Sequence, residues 1–244
     1  SVKQSTTING KNYYYLASAY LLAPEKVDMI GGLYKNEEVY KALVFDELPL
    51  AANTRTNIYG NMVRQIPWNE SLPAEFTLGD VDEEGRYVID EELDLVWLSV
   101  NGSKLSAGSK FIVNKDLNMK GREISSIQMP AESTFDGGGY TIKNYANSFF
   151  GNATNLTVQN LVLDNVHAVS DGHVGVLVNT LTGSSSFTGV TVTNSSAITS
   201  DGAAGGMIGY ITNKEGETLE VTFSGCTATN NKVNGSLTSG VYVG

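Results

Sequence analysis

With a single cysteine, Cys226, the chain cannot close an internal disulfide. That absence does not exclude export. Lysine and arginine total 16 against 26 acidic residues, so the net charge is −10 and the isoelectric point is near 4.6. A phosphate backbone would be repelled, which excludes nucleic acid as a partner. No basic stripe is present to hold an anionic membrane surface. No apolar stretch approaches the 18 residues of a spanning helix, so no transmembrane segment is expected. The opening Ser1-Val-Lys-Gln4 has no signal-peptide pattern, and an export signal or lipid anchor is expected upstream of it. Histidines number only 2, His167 and His173, and no arginine follows Arg122.

What is abundant is small and β-forming. Glycine reaches 26 copies, and threonine, serine and asparagine dominate after residue 130. Such residues populate long helices poorly and suit tightly turned strands, so the expected class is all-β. An internal repeat sharpens this. Tyr140-Thr-Ile-Lys-Asn144, Leu161-Val-Leu-Asp-Asn165, Val190-Thr-Val-Thr-Asn194 and Cys226-Thr-Ala-Thr-Asn230 each alternate and end on asparagine, at intervals of 21, 29 and 36 residues. A second set, Phe149-Phe-Gly151, Leu177-Val-Asn179, Met207-Ile-Gly209 and Tyr242-Val-Gly244, trails those asparagines by 7, 14, 15 and 14 residues.

Alternation with period two gives a strand with one buried face. Units of this length with two strand signals are coils of a solenoid, here a right-handed parallel β-helix over residues 108–244. Ile142, Leu163, Val192 and Ala228 then form one interior column, and Tyr140, Leu161, Val190 and Cys226 another. Asn144, Asn165, Asn194 and Asn230 would form a structural corner ladder, because asparagine tolerates the left-handed backbone of a sharp corner. Cys226 reads as a small buried hydrophobe. The chain stops on a strand signal at Gly244. An uncapped solenoid exposes edges, so a continuation or a cap from another chain is expected.

Phe135-Asp-Gly-Gly-Gly-Tyr-Thr-Ile-Lys-Asn144 resembles the opening coil of many bacterial β-helix proteins. Gly205-Gly-Met-Ile-Gly209, with Gly240-Val-Tyr-Val-Gly244 and Gly175-Val-Leu-Val-Asn179 as looser copies, resembles the GLUG repeat of bacterial surface proteins.

Before the repeats, Asn12-Tyr-Tyr-Tyr-Leu-Ala-Ser-Ala-Tyr-Leu-Leu22 and Glu38-Val-Tyr-Lys-Ala-Leu-Val-Phe45 suit strands of a β-sandwich, expected over residues 1–80. The first run, with Leu48-Pro-Leu-Ala-Ala-Asn-Thr-Arg-Thr-Asn-Ile-Tyr-Gly60, resembles the fimbrillin-like proteins of Gram-negative gut and oral anaerobes. That resemblance implies an exported pilus subunit or surface lipoprotein, located outside the cell; if residues 1–64 lack a strand, another pilus subunit would supply it by strand addition. Residues 81–107 read as an acidic junction: Asp80 to Asp94 carries eight carboxylates, and the apolar Leu93-Asp-Leu-Val-Trp-Leu98 beside them would pack where the two parts meet. Asn101-Gly102 reads as a tight turn.

Little in the chain resembles a catalytic set. From 136 to 210 the acids are Asp136, Asp164, Asp171 and Asp201, none close in sequence to another. Asp171 and Asp201 occupy equivalent Ser-Asp-Gly turns and would lie about 5 Å apart if the coils stack in register. They are the one acidic pair available to a glycosidase or a metal, yet Asp-Gly is a common turn dipeptide. His167 and His173, six residues apart, match neither a helical pair nor a compact ligand set. The glycine clusters lack the Lys-Ser/Thr of a phosphate loop. No cofactor is expected. Calcium, held by the acidic run or between the two Asp-Gly turns, is the alternative, although no EF-hand-like spacing exists.

These observations together point to a non-catalytic extracellular surface adhesin or pilus-associated structural protein. It would bind a host or microbial surface glycan or protein, with Asp171, His173 and Asp201 as the candidate binding residues. A polysaccharide lyase or hydrolase working on the coil flank is the alternative.

Overall fold

A computed structural model describes residues 68–213 and 216–244, together with four N-terminal strands. These strands are Ser5–Ile8, Lys11–Tyr14, Lys26–Lys35 and Glu38–Pro49. The first two pair antiparallel, with Ser5 opposite Tyr14, and the last two form a sheet of their own. Of the rest of the sandwich expected over 1–80, residues 15–25 and 50–67 lie outside the described residues, while 68–80 are described and hold a short 3-10 turn at Trp68–Ser71 and no strand. The chain divides into two compact units, 1–29 with 44–64 and 30–43 with 65–244.

From residue 86 onward the structure is mostly β and its sheets are parallel. Sheet I is six-stranded, running from Arg86–Ile89 through Lys110–Val113, Thr134–Asp136, Thr157–Gln159 and Ser185–Thr188 to Val221–Ser224. Sheet II contains Leu117–Asn118, Thr141–Lys143, Val162–Asp164, Thr191–Thr193 and Thr227–Thr229. Three three-stranded sheets complete the set. Sheet III has His167–Ser170, Ser196–Thr199 and Lys232–Asn234. Sheet IV has Val174–Gly175, Ala203–Gly205 and Thr238–Gly240. Sheet V has Phe150–Thr154, Val178–Thr182 and Ile208–Thr212. From Thr157 the chain visits the sheets in the order I, II, III, IV, V and then returns to I, so each of the two complete circuits adds one strand to every sheet.

Alternation within each strand decides what the circuits enclose. Tyr87, Phe111, Phe135, Val158, Phe187 and Phe223 share one register row of sheet I. Phe111, Phe135, Val158 and Phe187 are completely buried. Phe135 meets Phe149 and Phe150 edge-on at 5.5 and 5.3 Å, the geometry aromatic rings favour. In sheet II the row runs Leu117, Ile142, Leu163, Val192, Ala228, with the middle three buried and Ala228 packed against the core. In the second expected column Leu161 and Val190 are buried and Cys226 is half-buried against the core.

Tyr140 departs from that column, being 38% exposed. Its turn carries two more residues than the next circuit's. Asp136 pairs with Gln159 before the turn and Thr141 with Val162 after it, so Gly137 to Tyr140 stand over Asn160 and Leu161 alone. Gly137 takes the inner place, its backbone so close to Leu161 that a Cβ would lie 2.4 Å from the Leu161 Cα. Gly138 and Gly139, at φ of 60° and 79°, then carry the tyrosine outward.

The stretch 81–107, read from its charge as a junction, supplies the edge strand of sheet I at Arg86–Ile89 and a helix at Glu92–Asn101. Asp94 starts the helix. Its carboxylate is buried and accepts backbone N–H groups from Gly79, Asp90 and Glu91 at 3.3, 3.0 and 3.0 Å. Burial pushes its pKa up, against the pull of those three donors. Leu95, Val96 and Leu98 are completely buried in the same core as the sheets. Glu91 three residues ahead of Asp94 is the cap spacing that marks a helix start. Asn101-Gly102, expected as a tight turn, is where the helix passes into a short 3-10 turn at Gly102–Lys104. Among the described residues no helix is long and apolar enough to cross a membrane.

Candidate functional site

The corner between sheets II and III is built from the asparagines. Asn144, Asn165, Asn194 and Asn230 have φ of 60, 54, 50 and 55°. Asn144 Nδ2 donates to Asn118 Oδ1 at 2.7 Å, and Asn165 Nδ2 to Asn144 Oδ1 at 2.6 Å. Asn230 Nδ2 donates to Asn194 Oδ1 at 2.6 Å. Between Asn165 and Asn194 the ladder changes rail: Asn194 Nδ2 donates to Asp164 Oδ1 at 2.8 Å, which also accepts Thr193 Oγ1 at 3.0 Å. Glu132, Asn155 and Asn160 also have left-handed backbones, at corners of sheet I that isolated residues do not signal in the sequence.

The corner between sheets III and IV is different. It carries Ser170-Asp-Gly-His173 in one circuit, Thr199-Ser-Asp-Gly-Ala203 in the next, and Gly235-Ser-Leu237 in the third. Thr199 Oγ1 donates to the Gly172 carbonyl at 2.5 Å, and Gly202 N–H donates to Ser236 Oγ at 2.8 Å. Gly202 must be glycine, since a Cβ there would lie 2.6 Å from the Gly172 carbonyl carbon. Asp171 and Asp201 are exposed. Asp171 Oδ1 accepts Ser200 Oγ at 3.3 Å, which ties it to the residue preceding Asp201.

His173 is the most constrained of the three expected binding residues. The Ala203 N–H donates to its Nδ1 at 3.1 Å. A backbone N–H only donates, so Nδ1 accepts and the proton of the neutral ring sits on Nε2. Its ring lies parallel to that of Tyr210, with centroids 4.2 Å apart and planes 10° apart. Tyr210 is 43% exposed and shares a row of sheet V with Thr180 and Asn152. Sequence reasoning misses it by ending the repeat at Gly209. The strand continues to Thr212, and its alternation marks Tyr210 as outward.

The remaining polar candidates serve the fold. His167 is held by its Nδ1 to Ser196 Oγ at 2.9 Å, and burial lowers its pKa. Asp136 is buried; that burial opposes ionisation, but donors on Gln159, Gly138 and Asn160, with the charge of Arg86, hold its carboxyl below the ordinary range. In the acidic run, Asp82 accepts the Arg86 backbone N–H at 2.9 Å and Arg86 Nε at 2.8 Å, which lowers its pKa. Among the described residues no group of three or more His, Cys, Asp or Glu is placed to hold a metal ion. No family model, curated protein or solved structure matches the chain.

Proposed function

We propose that the stacked circuits are a right-handed parallel β-helix following a β-sandwich-like segment, and that the chain is a non-catalytic extracellular adhesin or pilus-associated structural protein. Parallel sheets revisited in a constant order support the first part, and strand twist favours the right-handed sense. The fimbrillin-like and GLUG-like stretches support the surface role by analogy.

One observation carries the non-catalytic reading. Of the four acids between 136 and 210, Asp136 is spent on its turn and Asp164 on the corner ladder, which leaves Asp171 and Asp201 exposed. Glycoside cleavage needs one carboxyl kept protonated by its surroundings and a second, ionised one facing it across the bond. An open turn supplies no such desolvation. The test is a turnover screen of the folded chain against plant, bacterial and host polysaccharides, with and without calcium, counting sugar ends. Silence is the expected result. Released ends that vanish in Asp171→Asn or Asp201→Asn would establish the hydrolase or lyase alternative instead. A melting temperature that calcium raises and a chelator lowers would mark the ion as a structural cofactor.

A further inference from the structure

We infer that Tyr210, its ring backed by the stacked ring of His173, is the aromatic floor of a carbohydrate-binding site that takes uncharged sugar rings, with the carboxylates of Asp171 and Asp201 at its rim. This rests on the non-catalytic surface reading and gives it a location. Outward positions of sheet V are otherwise small and polar, as Asn152, Thr180, Thr154, Thr182 and Thr212 show. A tyrosine 43% exposed among them is the exception. Its ring is held parallel to the histidine, and the histidine is itself fixed by the Ala203 N–H. The pair is therefore preorganised, and binding would cost little side-chain entropy.

The chemistry around the floor matches a sugar. An aromatic face takes the C–H side of a pyranose, and the ring hydroxyls then need both donors and acceptors nearby. Among the described residues His173 Nε2–H has no protein acceptor. Asp171 keeps one carboxylate oxygen uncommitted, and Asp201 accepts no bond from a described side chain. Charge decides the class of sugar. No lysine or arginine occurs between 144 and 213, while the rim carries two carboxylates. Uronates and other anionic glycans are repelled by that rim, and neutral hexose or N-acetylhexosamine units are not.

The experiment is calorimetric titration of the purified chain with cellohexaose, maltohexaose, xylohexaose and chitohexaose, and with hexagalacturonate as the anionic probe. At least one neutral hexamer binds, and hexagalacturonate does not. Tyr210→Ala lowers the association constant about tenfold, the scale of one aromatic stacking contact, and His173→Ala, which removes only the ring behind the tyrosine, lowers it less. Tyr210→Phe keeps it within about twofold, because the face is retained. Circular dichroism of each variant confirms an unchanged fold, as expected for a substitution on an outer face. No binding by any neutral hexamer, binding unchanged in Tyr210→Ala, or a preference for hexagalacturonate would overturn the assignment. Attachment of the chain to cells that survives Tyr210→Ala would sink the floor and leave the adhesin reading intact. Release of sugar ends would sink the non-catalytic reading and leave the floor standing.

Discussion

Sheet III is bounded by two corners that solve the same problem in opposite ways. At its start, Asp164 pairs with Thr193 before the corner and His167 with Ser196 after it, 29 residues apart in both cases. In the next circuit Thr193 with Thr229 and Ser196 with Lys232 are both 36 apart. The corner never changes length. At its end, Ser170 with Thr199 are 29 apart but Val174 with Ala204 are 30, and Ile198 with Asn234 are 36 but Ala203 with Thr238 are 35. That corner changes length in both circuits. The first is pinned because one residue type must supply a left-handed backbone and an amide rail together. The second is held by hydroxyl-to-backbone bonds, which adjust. Exposed, adjustable segments on a rigid frame are where recognition groups collect, and His173 stands at this one.

The strongest way to break the contrast is to lengthen each corner by one residue. Inserting alanine after Asn165 should abolish cooperative thermal unfolding, since a one-residue slip turns the interior set of a strand outward. Inserting glycine after Gly172 should cost below about 1 kcal/mol, because loop length enters closure entropy only weakly. Equal losses in the two melts would erase the distinction.

Next in size is Asn165→Ala. It should lose about 2–3 kcal/mol in urea unfolding, from the left-handed penalty and the broken amide bond together. Asn165→Gly should recover the backbone share. If Gly and Ala are equally damaging, the backbone conformation is not what the asparagine is for.

The two histidines sharpen the contrast through pH. Burial lowers the pKa of His167 from 6.5, so the folded state refuses a proton that the unfolded chain accepts. Its contribution to stability is full above the unfolded pKa and falls as the medium is acidified from there toward the folded value. Urea midpoints at pH 7.5 and 5.5 should therefore differ, and His167→Gln should reduce the difference. An unchanged difference would mean that other groups cause it.

The smallest effect is expected at the adjustable corner itself. Asp171→Asn should change stability by no more than about 0.5 kcal/mol, being exposed and holding one long bond to Ser200. A larger loss would make that carboxylate part of the frame.

Much of the circuit pattern is legible in the amino-acid sequence, for a physical reason. A repeating circuit writes its needs locally: alternation at Ile142, Leu163 and Val192 declares which side chains face in, and an asparagine declares the corner. Reading either requires no long-range information. The helix at Glu92–Asn101 escapes the sequence reading because its short apolar run lacks a helical period, although Glu91 and Asp94 carry the cap spacing. Tyr140 is misassigned to the interior because two extra glycines shift a side chain without altering the alternation around it. Stacking belongs to the tertiary structure alone. His173 and Tyr210 are 37 residues apart and meet only because successive circuits stack on one another. Period and turn chemistry are properties of neighbours along the chain, whereas the register between circuits is a property of the whole stack.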